Sequence, residues 1–342
     1  MATFAEATAI KAIDSRTYSA LLHDSWTIGT VPHGGFVTSV VLAAVKLHFD
    51  TTLSSYNQPH TVALNLEFLR RTSVGPAIIS IQNVKLGRRT STVHIVLTQA
   101  PSRVDHSATP TTCLVGYLTQ SNIFTEEGIS LPTQWALDPP PPPLSSAGRL
   151  RRNEDPEWVM VKDRPYPKFR KVVDKVYVCL PRKGQVAKAT VDEWLCYSEP
   201  GERFTQESLG FVADMFPQLV ETGFSVAEVQ AGVRDEKTGI GGASEDSPSS
   251  KITLMDHQGQ VAKFWYPTVL LNLDIKKALP PAGVEFLFVR ARAKQIKNGR
   301  MDQEVTIMDQ EGDLVALSTH VSLVLGSERN LKRSGGAGES KI

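Results

Sequence analysis

One short segment is written twice in this chain. Thr61-Val-Ala-Leu-Asn-Leu-Glu67 returns as Thr268-Val-Leu-Leu-Asn-Leu-Asp274. Both copies alternate apolar and polar residues, the period of a strand with one buried face. The match continues in order beyond them. Basic residues follow each copy (Arg70-Arg71; Lys276-Lys277), then a Gly or Pro-Gly break, a β-rich run and a Gly-Arg pair (Gly87-Arg88; Gly299-Arg300). A second alternating strand comes next, Thr92–Thr98 in one series and Glu304–Met308 in the other. Each series closes on a further strand, Cys113–Leu118 and Leu314–Val324. An ordered series of matches is the mark of a duplication. It confines the chain to one structural unit used twice.

Each unit also carries a helix ahead of its strands. In the first, Pro32-His33-Gly34-Gly35 leads into an apolar run from Phe36 to Phe49, which as a helix spans roughly 20 Å. Its apolar residues cover most of the circumference, so it is expected to be buried nearly all round. In the second, Glu207–Phe216 occupies the same place and stops at Pro217, which cannot continue a helix. The expectation is an α+β fold in which antiparallel sheet wraps a central helix in each half.

The 342 residues agree with about two domains at roughly 150 residues each. Lys+Arg 37 against Asp+Glu 36 leaves a net charge of +1, which argues against a protein built to hold nucleic acid. A small anionic ligand needs only a local basic patch and stays open. Cys113, Cys179 and Cys196 are odd in number and lack CxxC spacing. Neither a disulfide framework nor a zinc site is expected, and no metal or other cofactor is implied. The start Met1-Ala-Thr-Phe-Ala-Glu-Ala lacks a basic region ahead of an apolar run, so no secretory signal is read. No stretch approaches the ~18 apolar residues of a membrane span. The C-terminal Ser340-Lys341-Ile342 differs from a peroxisomal Ser-Lys-Leu address only in its last residue, so the expected location is cytoplasmic or peroxisomal.

Two stretches break the pattern. Pro139–Pro143, with the polar and charged residues after it, reads as a linker that is semi-rigid at its start. Arg234–Ser250 is charged, Gly/Ser-rich and without apolar period, and reads as a mobile insertion. The expected division is an N-terminal unit at 1–137, a Pro-rich linker at 138–165, a C-terminal unit at 166–328 with an insertion at about 234–250, and a flexible tail at 329–342.

Several residues in this order match a known family. They are Trp26 in the lead-in, Pro32-His33-Gly34-Gly35 at the helix start, Leu64-Asn-Leu-Glu-Phe-Leu-Arg-Arg71, and Leu86-Gly-Arg-Arg-Thr-Ser91. Then come Glu193-Trp194, Ala213-Asp214-Met215-Phe216-Pro217 and Asp309-Gln-Glu-Gly-Asp-Leu-Val-Ala316. The set resembles the double-hotdog acyl-CoA thioesterases of the thioesterase II-like superfamily, over roughly residues 18–326. The resemblance implies two hotdog units packed as a pseudo-dimer, with the active site at their junction. It implies hydrolysis of an acyl-CoA or related acyl thioester to a free acid and a thiol, without a covalent intermediate. In keeping with that, the sequence has no Gly-x-Ser-x-Gly nucleophile elbow.

The resemblance also implies a catalytic set. In such enzymes an Asp on the second helix, a Thr or Ser opening the next strand, and a Gln near the end of the last strand hold the hydrolytic water. Here these fall on Asp214, Thr268 and His320. The helix start at His33, Gly34 and Gly35 is implied to receive the thioester carbonyl on backbone N–H groups. Donors and a positive partial charge at a helix N-terminus suit the oxyanion that forms there. Imidazole in place of Gln is a departure. It can hydrogen-bond water and also carry a proton near neutral pH. It is compatible with retained hydrolysis, with an altered pH dependence, or with a different reaction.

Structural readings stand beside these. Thr268 is an ordinary strand former whose repeat partner is Thr61. His320 in an alternating strand fits a structural histidine, and His33 fits a turn-shaping one. Arg70, Arg71, Arg88 and Arg89 suit either coenzyme A phosphates or a solvated strand-end cluster. Two other functions remain open from sequence. One is a hotdog enzyme that releases, cyclises or dehydrates a polyketide-like thioester; the other is a non-catalytic binder of acyl or apolar ligands. Assembly into a homo-oligomer of double-hotdog protomers is also left open.

Overall fold

The structure, a computed structural model, describes residues 2–100, 109–161, 166–216, 219–220, 224 and 262–331. The first half runs α1 (Phe4–Ala7), β1 (Ile10–Ala12), β2 (Thr17–Leu22), β3 (Thr27–Ile28), β4 (Val31–Pro32), α2 (Gly34–Thr51), β5 (His60–Phe68), β6 (Gly75–Lys85), β7 (Ser91–Gln99) and β8 (Thr111–Ser121). After it come α3 (Ala147–Arg151), β9 (Trp158–Val161), β10 (Val176–Pro181), β11 (Thr190–Tyr197) and α4 (Leu209–Ala213). The chain then forms β12 (Phe264–Trp265), β13 (Thr268–Ile275), β14 (Leu287–Lys297), β15 (Arg300–Met308), β16 (Leu314–Leu323), β17 (Leu325–Gly326) and α5 (Glu328–Leu331).

Thirteen strands form one sheet in the order β1-β2-β6-β7-β8-β5-β13-β16-β15-β14-β11-β10-β9. Outward from the β5–β13 joint, β5, β8, β7, β6, β2 and β1 are mirrored by β13, β16, β15, β14, β11 and β10. The sequence repeat is thus a pseudo-two-fold of the sheet. Its axis falls where Asn65 faces Asn272 in register, the same position of the repeated segment. The Asn65 amide donates to Asn272 Oδ1, and Asn272 Nδ2 donates to Thr319 Oγ1 at 3.0 Å. The sheets of the two halves, expected to be continuous or closely apposed, form one continuous antiparallel sheet. Pairing the repeated strands removes two bare edges that would otherwise invite other chains. The alternation buries Leu64, Leu66, Leu271 and Leu273 on the opposite face.

The helix expected at Phe36–Phe49 runs from Gly34 to Thr51 because His33 caps it, its Nδ1 accepting the Phe36 N–H at 3.4 Å. Twelve of its 18 residues are buried, as the apolar circumference requires. The second helix is shorter than expected. A 3-10 turn at Gln206–Ser208 feeds α4, which ends at Asp214. Phe216 precedes Pro217, and a residue before proline is pushed out of α geometry. The two helices cross where side chains are missing. A Cβ on Gly35 would lie 2.7 Å from both Asp214 Cβ and the Gly210 carbonyl oxygen, and one on Gly210 would lie 2.8 Å from Thr38 Cγ2. Beside the crossing, Trp26 stacks on Phe36 and meets Phe211 edge-on, each at 5.2 Å between ring centres. Residues of both halves therefore share one aromatic core.

Two boundaries fall elsewhere than expected. Residues 138–165, read as a linker, supply α3 and the edge strand β9, with Leu150 and Trp158 buried against Cys179, Trp194 and Phe286. The proline run itself stays out of the sheet, as it must. Arg290 fastens it, bonding Asp192 with two nitrogens at 2.6 Å and donating Nη1 to the Pro139 carbonyl at 2.6 Å. The tail expected from 329 begins later. Arg329–Leu331 complete α5, and buried Asn330 accepts the Thr30 N–H at 3.0 Å and donates to the Ile28 carbonyl at 2.9 Å. A side chain satisfied on both atoms by one turn anchors those residues. The expected insertion at 234–250 and Ser340-Lys341-Ile342 lie outside the described residues. Among the described residues, no helix is long and apolar enough to cross a membrane.

Candidate active site

Asp214 stands at the C-terminal end of α4, a poor place for a carboxylate in view of the helix dipole. Groups from both halves of the chain surround it. The Gly35 N–H, in the first turn of the longer α2, donates to Asp214 Oδ2 at 2.7 Å. Thr268 Oγ1, at the start of β13, donates to Oδ1 at 3.4 Å. His33 Nε2 donates to the Asp214 carbonyl at 3.0 Å and lies 3.4 Å from Oδ2. His320 Nδ1, on β16, lies 3.6 Å from Oδ1. All six residues singled out from sequence, namely His33, Gly34, Gly35, Asp214, Thr268 and His320, thus meet at one point. A Cβ on Gly34 would sit 2.9 Å from Asp214 Oδ2 and 3.3 Å from Thr268 Oγ1.

The hydrogen bonds fix the protons on both histidines. His33 accepts on Nδ1 and donates from Nε2, which is the neutral tautomer, and burial pulls its pKa below the usual histidine value. For His320, the Ser318 hydroxyl gives its own hydrogen to the Asn272 carbonyl. Ser318 Oγ must then accept from His320 Nε2, 2.8 Å away. This leaves His320 Nδ1 as a bare lone pair without a hydrogen-bond partner among the described residues. Burial, helped by the nearby His33, lowers the His320 pKa to about 4 against the opposing pull of Asp214. Two acceptors, Nδ1 and a carboxylate oxygen, therefore face each other.

The helix start contributes differently from the sequence reading. The Gly35 N–H is engaged with Asp214, and His33 has both ring nitrogens engaged. Gly34, the first residue of α2, has no carbonyl one turn earlier to take its N–H. It lines a cavity of about 1170 Å³, together with His33, Asp214 and Thr268. Phe216, Leu219 and Phe264 give this cavity apolar walls, and Arg70, Arg71 and Arg329 also line it. The Arg71 guanidinium lies 4.5 Å over the Trp265 ring. Arg88 and Arg89 line a separate polar pocket with Glu126 and Glu127.

Two features escaped sequence reasoning. Ser318, two residues before His320 in an alternating strand, was legible as its same-face neighbour. The second is a fossil of the duplication. Gly35-Phe36-Val37 matches Gly210-Phe211-Val212, which puts Ser39 where the other copy has Asp214. The Phe211 N–H donates to Ser39 Oγ at 2.9 Å, echoing the bond from Gly35 to Asp214. One copy has the carboxylate and the other a fully buried serine, so this arrangement occurs once per chain among the described residues.

Comparison with known proteins agrees with this architecture. Residues 22–121 match the model of the acyl-CoA thioesterase N-terminal domain, and residues 138–324 match that of the C-terminal domain. The thioesterase-like protein TwmA of Talaromyces wortmannii is 35% identical over 353 residues, covering 100% of this chain and 97% of its own. Among solved structures, a hot dog fold protein from Alicyclobacillus acidocaldarius superposes with a TM-score of 0.64 at 18% identity, covering 94% of this chain and 97% of that one. Acyl-CoA thioesterase II TesB2 from Mycobacterium marinum gives 0.57 at 15% identity, covering 95% and 98%. At these identities the two structures speak for the hotdog fold alone.

Proposed function

As a member of the acyl-CoA thioesterase family, the chain hydrolyses acyl thioesters to a free acid and a thiol, and we propose that Asp214 activates the water for this step. The observation that carries the proposal is the carboxylate set between the Gly35 N–H and the bare Nδ1 of His320. Water held by Asp214 Oδ1 and His320 Nδ1 attacks the thioester carbonyl carbon while its proton passes to Asp214. The Gly34 N–H, at the positive end of α2, receives the oxyanion. Collapse breaks the C–S bond, and the departing thiolate takes the proton from Asp214. Thr268 and the Gly35 N–H hold the carboxylate in line, and His33 fixes the backbone that carries it.

The test is thiol release from a panel of acyl-CoAs. Asp214→Asn is expected to lose about 10²–10⁴-fold in kcat, while Asp50→Asn, on the exposed face of α2, stays at the wild-type rate. Equal rates for Asp214→Asn and wild type would remove Asp214 from the mechanism. Product analysis in the same assay separates hydrolysis from cyclisation or dehydration, which would yield something other than the free acid.

We further propose that the chain holds two hotdog units, one within 1–137 and one within 138–331, each a half-sheet wrapped around its helix and meeting along β5 and β13. The mirrored strand order and the burial of twelve of the 18 residues of α2 support this. The thiol carrier is coenzyme A or a related pantetheine, entering past Arg70, Arg71 and Arg329.

A further inference from the structure

Beyond Asp214 the cavity floor is unexpectedly polar. It is formed by neighbouring strands whose facing residues are fixed by register. Thr268 pairs with Ser322, and Ser322 with Met301; Leu271 pairs with His320, and His320 with Gln303. Thr268, Ser322, Met301 and Gln303 all line the cavity. Gln303 is only 3% exposed, and among the described residues neither its Nε2 nor its Oε1 has a hydrogen-bond partner. A buried amide with both atoms unsatisfied carries an uncompensated desolvation cost. Met301 fills the adjacent position of the same strand and face without any such cost, so nothing in the packing demands an amide at 303.

Resting on the thioesterase reading, we propose that Gln303 reads an oxygen carried on the acyl chain. The preferred substrates are then acyl thioesters bearing a hydroxyl or keto oxygen beyond the thioester carbonyl, rather than plain alkyl chains. Gln303 lies one strand spacing, about 4.8 Å, from His320, whose Nδ1 is 3.6 Å from Asp214 Oδ1. A chain whose carbonyl is held over Asp214 meets the amide within its first several carbons. Nε2 donates to a keto or hydroxyl oxygen, and Oε1 accepts from a hydroxyl. A hydrocarbon chain on the same path seals the amide away unsatisfied, and a site of this kind discriminates against the ligand that lacks the polar group.

The experiment compares octanoyl, 3-hydroxyoctanoyl, 3-oxooctanoyl and 5-hydroxyoctanoyl thioesters of one thiol. Wild type is expected to favour at least one oxygenated chain over octanoyl by about tenfold or more in kcat/KM. Gln303→Met, close in shape, is expected to abolish that preference, with octanoyl kcat/KM rising toward that of the oxygenated chains because no amide is left to be sealed away. Gln303→Leu serves if the methionine variant does not fold. Preference for octanoyl in wild type, or an equal loss on every chain in the variant, overturns the proposal. Thermal shift with 3-hydroxyoctanoate, 5-hydroxyoctanoate and octanoate reads the same strip without turnover. Absence of thiol release from all thioesters would count against the hydrolytic reading, whereas equal shifts from all three acids would count against the strip.

Discussion

Gly35→Ala and Gly34→Ala are adjacent substitutions with opposite expected consequences. A methyl on Gly35 meets Asp214 Cβ and the Gly210 carbonyl oxygen at 2.7 Å and Phe211 Cα at 3.0 Å. Most of these atoms belong to the backbone of α4, so no side chain can swing away. The helices must part by about 0.7 Å or more to restore ordinary contact. Overpacking of this kind costs about 1–3 kcal/mol. The same movement stretches the 2.7 Å bond from Gly35 to Asp214 beyond good hydrogen-bond range. Displacement of a reacting group on this scale costs roughly 10²-fold in rate. On Gly34 the methyl instead meets two side-chain ends, Asp214 Oδ2 at 2.9 Å and Thr268 Oγ1 at 3.3 Å. Gly34→Ala should keep its stability within about 1 kcal/mol and still lose most of its activity, because the carboxylate is pushed off the water. Urea unfolding and thiol release on the same preparations check both. A Gly35→Ala protein of wild-type stability and rate would refute the close crossing. Wild-type turnover in Gly34→Ala would refute the carboxylate geometry.

Other outcomes follow from the same contacts. The His320 pKa of about 4 lies below the unfolded histidine value of 6.5, so its stabilising contribution is fully present above pH 6.5 and declines as pH falls toward 4, by on the order of 3 kcal/mol. Unfolding measured from pH 8 to pH 4 should therefore be less acid-sensitive in His320→Gln. Since His320 is neutral throughout pH 6–8, wild type and His320→Gln should give pH–rate profiles of the same shape there, and a histidine-like step confined to wild type would contradict this. Ser318→Ala removes the acceptor that holds the His320 proton on Nε2, and kcat should fall about tenfold without change in melting temperature beyond a few degrees. Arg290→Met leaves Asp192 charged and unpaired in the interior, a loss of about 3–5 kcal/mol in chemical denaturation, whereas Asp192→Leu with Arg290→Met should recover most of it.

Much of the architecture was legible because duplication prints the same pattern twice. The Thr-Val-x-Leu-Asn-Leu segments announced β5 and β13, and the apolar run after Gly35 announced α2. The positions of Asp214, Thr268 and His320 came from the resemblance to the thioesterase family, and the geometry brings them together. Other features depend on partners that no local pattern records. Alternation at Asn65 and Asn272 says that each faces outward, not that they face each other across the joint between halves. The engagement of Gly35 by Asp214 depends on a helix crossing between residues far apart in sequence. Gln303 reads as one more polar residue of a strand until the register sets it beside His320. The edge strand β9 was hidden because its four residues follow a proline-rich run that does read as a tether. Its place is set by Trp158 finding a pocket among Trp194, Phe286 and Phe288.

The joint at Asn65 and Asn272 has a further consequence. Because the same position of the repeat meets itself there, the contact surface is self-complementary, and either half could build the identical ladder with a copy of itself. Joining the copies in one chain keeps the backbone ladder at this joint. What it changes is freedom: two surfaces tied together can diverge separately. Asp214 stands on one side and Ser39 at the matching position of the other, an asymmetry that no assembly of identical subunits could hold.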